Sequence, residues 1–279
     1  MTDFILITID VEDWFQVENF KEWIPFSSWA SREMRVEKNT RALLDLLDFR
    51  HATFFILGWL AERLPGLVRE IHSRGHEVAS HGYNHHLCNW QSRSDLTNDL
   101  SDSKKRLEDI IGAAVSGYRA PSFSIDNDIL KIIESCGYRY DSSFNSFGMH
   151  ERYGKADLSQ FERKGIAVRL SENFYELPVS NVKLGNRILP WGGGGYFRLI
   201  PFPIFRAGVR QILKSDGAYL FYMHPWEIDP DQPRVNEASW SYKFRHYTNL
   251  KKTRAKLSAV FETFKEARFV SCKEFLATN

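Results

Sequence analysis

Short apolar runs recur along the chain, each followed by a longer stretch with apolar residues at helical spacing, and the alternation predicts successive strand–helix units. Residues 4–9 read as a first strand, and residues 37–47 as a helix with Leu43, Leu44, Leu46 and Leu47 at helical spacing. A second strand is predicted over 52–57. A helix over 67–74 is stopped by Gly75, a typical C-terminal glycine, and a brief strand follows at 77–79. Residues 94–111 form a long amphipathic helix ending at Gly112, residues 118–120 are extended, and a helix over 126–136 ends at Gly137. Later strands are read at 138–140, 174–178 and 218–222, with a helix over 203–214 before the last. A final helix over 250–265 leads into an extended 268–270 and a terminal turn or helix. Two stretches break the pattern: the polar 145–171, and the segment from Asn181 through Trp191-Gly192-Gly193-Gly194-Gly195-Tyr196. No linker, repeat or low-complexity tract interrupts the chain, so one domain over 1–279 is expected.

Roughly six or more such units favour a parallel sheet covered by helices, α/β in class, and we read it as a distorted barrel. The chain has 279 residues, 43% of them hydrophobic, enough for a substantial core. Its 37 Lys and Arg nearly balance 35 Asp and Glu, and no long basic run concentrates the charge, which argues against nucleic acid as the main partner. No apolar run approaches the roughly 20 residues of a membrane span. Met1-Thr2-Asp3 lacks a basic leader region and the apolar run that follows ends at Asp10, so the first strand is expected to belong to the fold and the protein to the cytoplasm. Cys88, Cys136 and Cys272 lie far apart with no Cys-x-x-Cys pair, which predicts free thiols that pack the core. Eight Trp are a high count, and several sit in loop-like sequence of the kind that sugar-binding proteins use.

Catalytic groups of parallel α/β folds gather where strands end. The residues that follow the predicted strands are Asp10-Val11-Glu12-Asp13-Trp14, His81-Gly82-Tyr83-Asn84-His85-His86, Arg119-Ala120-Pro121-Ser122 and His224-Pro225-Trp226-Glu227. His81 and His85, four apart and beside a carboxylate from another strand, are the two-His, one-carboxylate set that binds zinc or a related divalent metal. Gly82 and Asn84 disfavour a regular helix there, so the pair is expected on a loop or short turn, with His86 pointing away. His51, His72, His76, His150 and His246 lack a partner at ligand spacing and read as surface or core residues. The glycines at 192–195 read either as a flexible loop or as bare backbone beside a sugar, with Trp191 and Tyr196 stacking on it; Trp226 is a further candidate for substrate contact. Asp141 reads equally as a backbone acceptor at a strand end and as a site residue.

The ordered set Thr8-Ile9-Asp10, residues 81–85, residues 119–122 and Tyr222-Met223-His224, with Gly137-Tyr138-Arg139-Tyr140-Asp141-Ser142-Ser143 between, resembles the polysaccharide deacetylases with the NodB homology domain, carbohydrate esterase family 4. The resemblance runs along nearly the whole chain. The Asp-Val-Glu-Asp-Trp-Phe-Gln opening, the Gly-Gly-Gly-Tyr-Phe-Arg segment and the His-Pro-Trp-Glu ending look most like the branch found with bacterial exopolysaccharide and exosortase loci. It implies a distorted (β/α) barrel of the NodB type with about seven βα units, and a family-specific C-terminal part from residue 145 onward. It also implies hydrolysis of acetyl groups from an N-acetylated oligo- or polysaccharide. Asp10 would be the base, Arg119 its orienting partner, His224 the acid, and the Ser122 backbone N–H an oxyanion donor. In that family a second aspartate directly follows the base and binds the metal, whereas here Val11 follows Asp10. Glu12 shares the strand face of Asp10 by period-two geometry, and Asp13 reaches inward only if the chain turns after Val11. Asp13 is slightly favoured as the third ligand beside His81 and His85, since its shorter side chain lies beyond the strand end. Zinc is the first choice of metal, with cobalt or another divalent ion as alternatives. The rival readings are a hydrolase of small amides, as the family's allantoinase relatives imply, and a carbohydrate-binding relative without catalysis.

Overall fold

The computed structural model describes residues 3–147 and 154–278, so His150 lies outside the described residues. The strands are β1 (Phe4–Val11), β2 (Thr53–Ile56), β3 (Glu77–Ser80), β4 (Gly117–Tyr118), β5 (Tyr140–Asp141), β6 (Glu162–Lys164), β7 (Ala167–Arg169), β8 (Tyr175–Glu176), β9 (Asn181–Leu184), β10 (Arg187–Pro190), β11 (Ala218–Met223) and β12 (Arg268–Phe269). The helices are α1 (Val36–Leu47), α2 (Gly58–Arg63), α3 (Pro65–Ser73), α4 (Arg93–Ile111), α5 (Asn127–Ser135), α6 (Gly194–Leu199), α7 (Phe202–Asp216), α8 (Trp240–Tyr247), α9 (Leu250–Thr263) and α10 (Cys272–Ala277). Among the described residues no helix is long and apolar enough to cross a membrane.

One sheet runs in the order β11-β1-β2-β3-β4-β5-β8-β7-β6. From β11 to β8 every pairing is parallel, and β7 and β6 continue it antiparallel. The sheet curls until its two sides meet beyond β8: Ser180 N–H donates to the Leu220 carbonyl at 3.3 Å and Ser180 Oγ accepts from Leu220 N at 2.9 Å. This is a partial barrel with helices outside, the α/β class that the alternating pattern implies.

Strand β1 explains how the barrel makes a site. Its odd positions Ile5, Ile7, Ile9 and Val11 join the apolar layer under the helices, while Leu6 on the opposite face joins Phe55, Tyr140, Leu177 and Leu220 in the barrel interior. A parallel strand buried on both faces reads as a continuous apolar run, so alternation appears only near its end. There Thr8 and Asp10 continue the inward face, with Glu12 two residues further on, all of them buried. The interior is therefore apolar at its base and polar at its rim.

Helix ends follow local chemistry: Ser92 caps α4 through Asp95 N, Asp126 caps α5 through Ile129 N, and left-handed Gly112 and Gly217 end α4 and α7. The two stretches without periodicity hold short antiparallel hairpins, β6–β7 and β9–β10. Their strands are three or four residues long, too short to show a period. Cys88 and Cys272 are buried and Cys136 half-buried, all three as free thiols.

The glycine run is no loose loop, and of its four residues Gly195 lines the cavity while Gly192 to Gly194 are buried against the protein. Gly192 O accepts from Tyr222 N at 2.7 Å and Gly193 bridges Tyr222, so the run lies along β11 before Gly194 opens α6. Trp191 does not face a sugar. It is 8% exposed, its ring parallel to Phe205 at 6.2 Å, and its indole N–H donates to the Phe205 carbonyl at 2.9 Å. A loop-like sequence context misled here because Gly208, distant in sequence, lets α7 close over the indole. A Cβ on Gly208 of α7 would lie 2.2 Å from that indole. Gly208→Ala gains roughly 1 kcal/mol of helix propensity but overpacks a ring with no room to retreat, a cost of about 1–3 kcal/mol. The net cost, up to about 2 kcal/mol, is expected to lower the melting temperature of this variant by up to about 8 °C; an unchanged or higher value in a thermal scan would show that the indole yields.

Candidate active site

Arg119 follows β4 and is fully buried inside the barrel. Its Nη1 donates to Asp10 Oδ1 at 2.8 Å and to Thr8 Oγ1 at 2.7 Å, Nε donates to the Ser142 carbonyl and Nη2 to Ser142 Oγ, both at 2.8 Å. The Phe55 ring lies 4.2 Å from its Cζ. Thr8 Oγ1 in turn donates to the Phe221 carbonyl at 2.8 Å, which ties the group to β11. Asp10 is thus fixed through one oxygen.

His81 follows β3, and its Nδ1 lies 2.7 Å from the Arg119 carbonyl. A carbonyl only accepts, so Nδ1 carries the hydrogen and the Nε2 lone pair points into the site. Nε2 faces Glu12 Oε1 at 3.0 Å, and His85 Nε2 lies 3.0 Å from the same oxygen. Two imidazole nitrogens around one carboxylate oxygen need a positive charge among them. The three side chains therefore fit a divalent cation by their donor chemistry, and their ligand atoms all lie within 4.8 Å of one another. Without a cation, protons serve. Burial opposes charging His85, but Glu12 beside it raises its pKa; burial likewise opposes ionising Glu12, yet His85 and His224 hold it well below the usual carboxylate range. The histidines lie on a loop that left-handed Gly82 (φ 72°) and His85 (φ 56°) shape, which agrees with the non-helical reading. His86 is exposed against Phe26 and takes no part.

The third carboxylate corrects the sequence reading. Asp13, slightly favoured as a ligand, turns away from the histidines: its oxygens accept from Trp14 N at 2.8 Å, Arg35 N at 2.6 Å and Val36 N at 2.8 Å, which fastens β1 to the start of α1. Burial pushes its carboxyl up to about 6 against these donors. Period two continues one residue past Val11, and the longer Glu12 side chain spans to both histidines.

His224 follows β11 and brings its Nε2 to 4.0 Å from Asp10 Oδ2 and 3.9 Å from Glu12 Oε1. Its Nδ1 faces Glu227 Oε1 at 3.0 Å. Burial opposes its charge, but Glu12, the Glu227 hydrogen bond, the Glu227 charge and Asp10 together raise it to about 9. A cation on Glu12 would cancel the first of these, leaving Glu227 and Asp10 to favour the imidazolium. Buried Arg198 anchors Glu227 through Nε at 2.8 Å. Neither Glu227 nor Arg198 was singled out for a role in the sequence, although a glutamate three residues after a helix start is a capping signal.

The other candidates divide. Ser122 lines the cavity in a left-handed backbone conformation (φ 51°), and Tyr196 lines it half-buried. Trp226 also lines it, but its ring stacks with His224 (5.1 Å between centroids) and His246 (4.0 Å), so it backs His224 where a sugar was expected. Asp141 accepts from Ser143 N and Oγ, and Ser143 Oγ accepts from Ala120 N, so it braces the strand end behind Arg119.

Comparison with known proteins agrees with this geometry. Residues 29–140 match the polysaccharide deacetylase family and residues 142–277 a domain of unknown function, DUF3473. A peptidoglycan-N-acetylglucosamine deacetylase of Bacillus cereus is 33% identical over 102 residues, 36% of this chain and 47% of that protein. A peptidoglycan deacetylase of Helicobacter pylori is 31% identical over 103 residues, 36% and 35% of the respective chains. The matched stretch thus spans less than half of either relative. In fold, a candidate polysaccharide deacetylase from Mycobacterium smegmatis is similar with a TM-score of 0.62 at 19% identity, over 98% of this chain and 88% of that one. A carbohydrate esterase family 4 pseudoenzyme from Bacillus anthracis is similar at 0.52 and 12% identity, over 98% and 65%. On the family match and the ordered motifs, residues 29–140 of this chain are a polysaccharide deacetylase domain, continued by the domain of unknown function.

Proposed function

We propose that this protein is a divalent-metal-dependent hydrolase that removes acetyl groups from N-acetylated sugars of a bacterial polysaccharide or its lipid-linked precursor. The observation that carries the reading is the convergence, in one cavity, of the Glu12–His81–His85 donor set with Asp10 and His224. The fold alone would not decide it, since a pseudoenzyme shares it. The curated relatives carry the same reaction class in their names.

A divalent cation on Glu12, His81 and His85, with zinc the first candidate, would polarise the acetamide carbonyl and lower the pKa of an attacking water. Asp10 removes the proton from that water, and Arg119 holds the carboxylate so that Oδ2 faces the cavity. The Ser122 backbone N–H donates to the carbonyl oxygen as negative charge builds there. His224 then protonates the amine as the C–N bond breaks, because an amide nitrogen is too basic to leave unprotonated. Water is consumed, and acetate and a free amino sugar are released.

Glu12→Gln, His81→Ala and His85→Ala should lose metal in elemental analysis of zinc-loaded protein. Asp13→Asn should keep the metal and lower the melting temperature, because it weakens the tie to α1. Full occupancy in Glu12→Gln would overturn the ligand assignment. Asp10→Asn should retain metal and lose about 10²- to 10⁴-fold in acetate release from N-acetylated oligosaccharides; a near-normal rate would exclude it as the base.

The pH profile tests His224. An acid with a raised pKa is competent below that value and lost as pH rises through it, so the alkaline limb should fall between about 6.5, the ordinary histidine value, and about 9. Glu227→Gln should move this limb to lower pH. His224→Ala should remove it and slow amide substrates far more than nitrophenyl acetate, whose leaving group needs no proton. Equal losses on amide and ester, measured side by side, would reduce His224 to a packing role.

A further inference from the structure

The cavity above the site has a volume of about 460 Å³, and it reaches beyond the reacting groups to α8, where Trp240 and Phe244 line it. Trp240 is 75% exposed and Phe244 43%, large aromatic surfaces left open to solvent. They sit four residues apart on one helix face, with ring planes within 20° and centroids 5.3 Å apart. The opposite side of α8 is engaged with the body of the protein. Tyr242 meets Trp23 edge-on at 6.2 Å, and His246 is buried between Phe20 and Trp226. Arg198 fixes the helix end by donating to the carbonyls of Arg245 at 2.8 Å, His246 at 3.0 Å and Thr248 at 2.5 Å. The same guanidinium holds Glu227, which faces His224. The exposed rings are thereby kept at a set distance from the proposed acid.

We propose that Trp240 and Phe244 form a platform for a second sugar residue of the substrate chain, so that the site engages an oligosaccharide across at least two units. This rests on the deacetylase reading and extends it. A pyranose ring has a flat C–H face bounded by hydroxyls and needs an aromatic face with polar groups at its border. Ser241, Arg245 and Tyr196 line the cavity beside the two rings and supply that border. A fatty chain would require apolar lining without it. Neither ring belongs to the stretch that matches the deacetylase family; both lie in the region of unknown function, residues 142–277.

The test is calorimetric binding of β-1,4-linked N-acetylglucosamine monomer and tetramer to zinc-loaded full chain carrying Asp10→Asn, which prevents turnover. Adding Trp240→Ala should weaken the tetramer about tenfold and the monomer less than twofold. Trp240→Phe should recover most of the loss and Trp240→Leu little, since the platform needs a flat ring. Phe49→Ala, at an exposed aromatic outside the cavity, should change neither ligand. Unchanged tetramer affinity in Trp240→Ala, equal weakening of both ligands, full recovery by leucine, or no binding of either ligand to the parent would each overturn the platform. Acetate release by the protein without Asp10→Asn is measured separately. Its absence alongside length-dependent binding would overturn the hydrolase and keep the platform, whereas its presence with unchanged tetramer affinity would do the reverse.

Discussion

A guanidinium without water is the constraint around which this site is arranged. Arg119 is fully buried, and a cation there is tolerated only when each of its nitrogens finds a partner and an anion stands close. Thr8, Asp10 and both the hydroxyl and carbonyl of Ser142 meet that demand, and Phe55 covers one face. The contributors come from β1, from the segment after β5, and from β2, so desolvating one side chain fixes three strands in register. The Arg119 backbone carbonyl also receives Nδ1–H of His81, which decides the nitrogen that the imidazole turns towards Glu12. Asp10, the proposed base, and His81, a proposed metal ligand, are thereby positioned by the same residue, one through its side chain and one through its main chain.

How much of this could be read in the chain depended on the range of the interaction. Strand β1, helix α4 and strand β11 were legible because burial on one or both faces imposes a period or a continuous apolar run. Asp10, His81, His85, Arg119 and His224 were legible because parallel strands deliver whatever follows them to one rim. Glu12 was legible too, through the alternation that also places Asp10, and the preference for Asp13 overlooked that the first turn of α1 lacks its own cap and draws a carboxylate to its N–H groups. Trp191, Trp226 and α8 were beyond reach for a different reason. Whether an aromatic is core or surface depends on which distant helix covers it, and nothing local to Trp191 indicates that α7 will.

The stretch matching the deacetylase family and the stretch of unknown function both build the site. The first supplies His81, His85 and Arg119; the second supplies His224, Glu227 and α8. Asp10 and Glu12 precede both matches. The sheet crosses the same division, since β1 pairs with β2 on one side and β11 on the other.

The glycine run has a further consequence, for the room the sequence has to change. A Cβ on Gly194 would come within 2.2 Å of Glu227 Oε1, and one on Gly192 within 2.7 Å of the Ser180 carbonyl. Any side chain at 194 would displace the carboxylate that faces His224, and any at 192 would press on the backbone seam where the curled sheet closes. Gly195 has no protein atom within 4 Å of its added carbon and lines the cavity instead. Gly193 is restricted in the same way, its added carbon falling 2.7 Å from the Tyr222 hydroxyl, so three consecutive glycines are spaces that must stay empty, while the fourth borders the cavity.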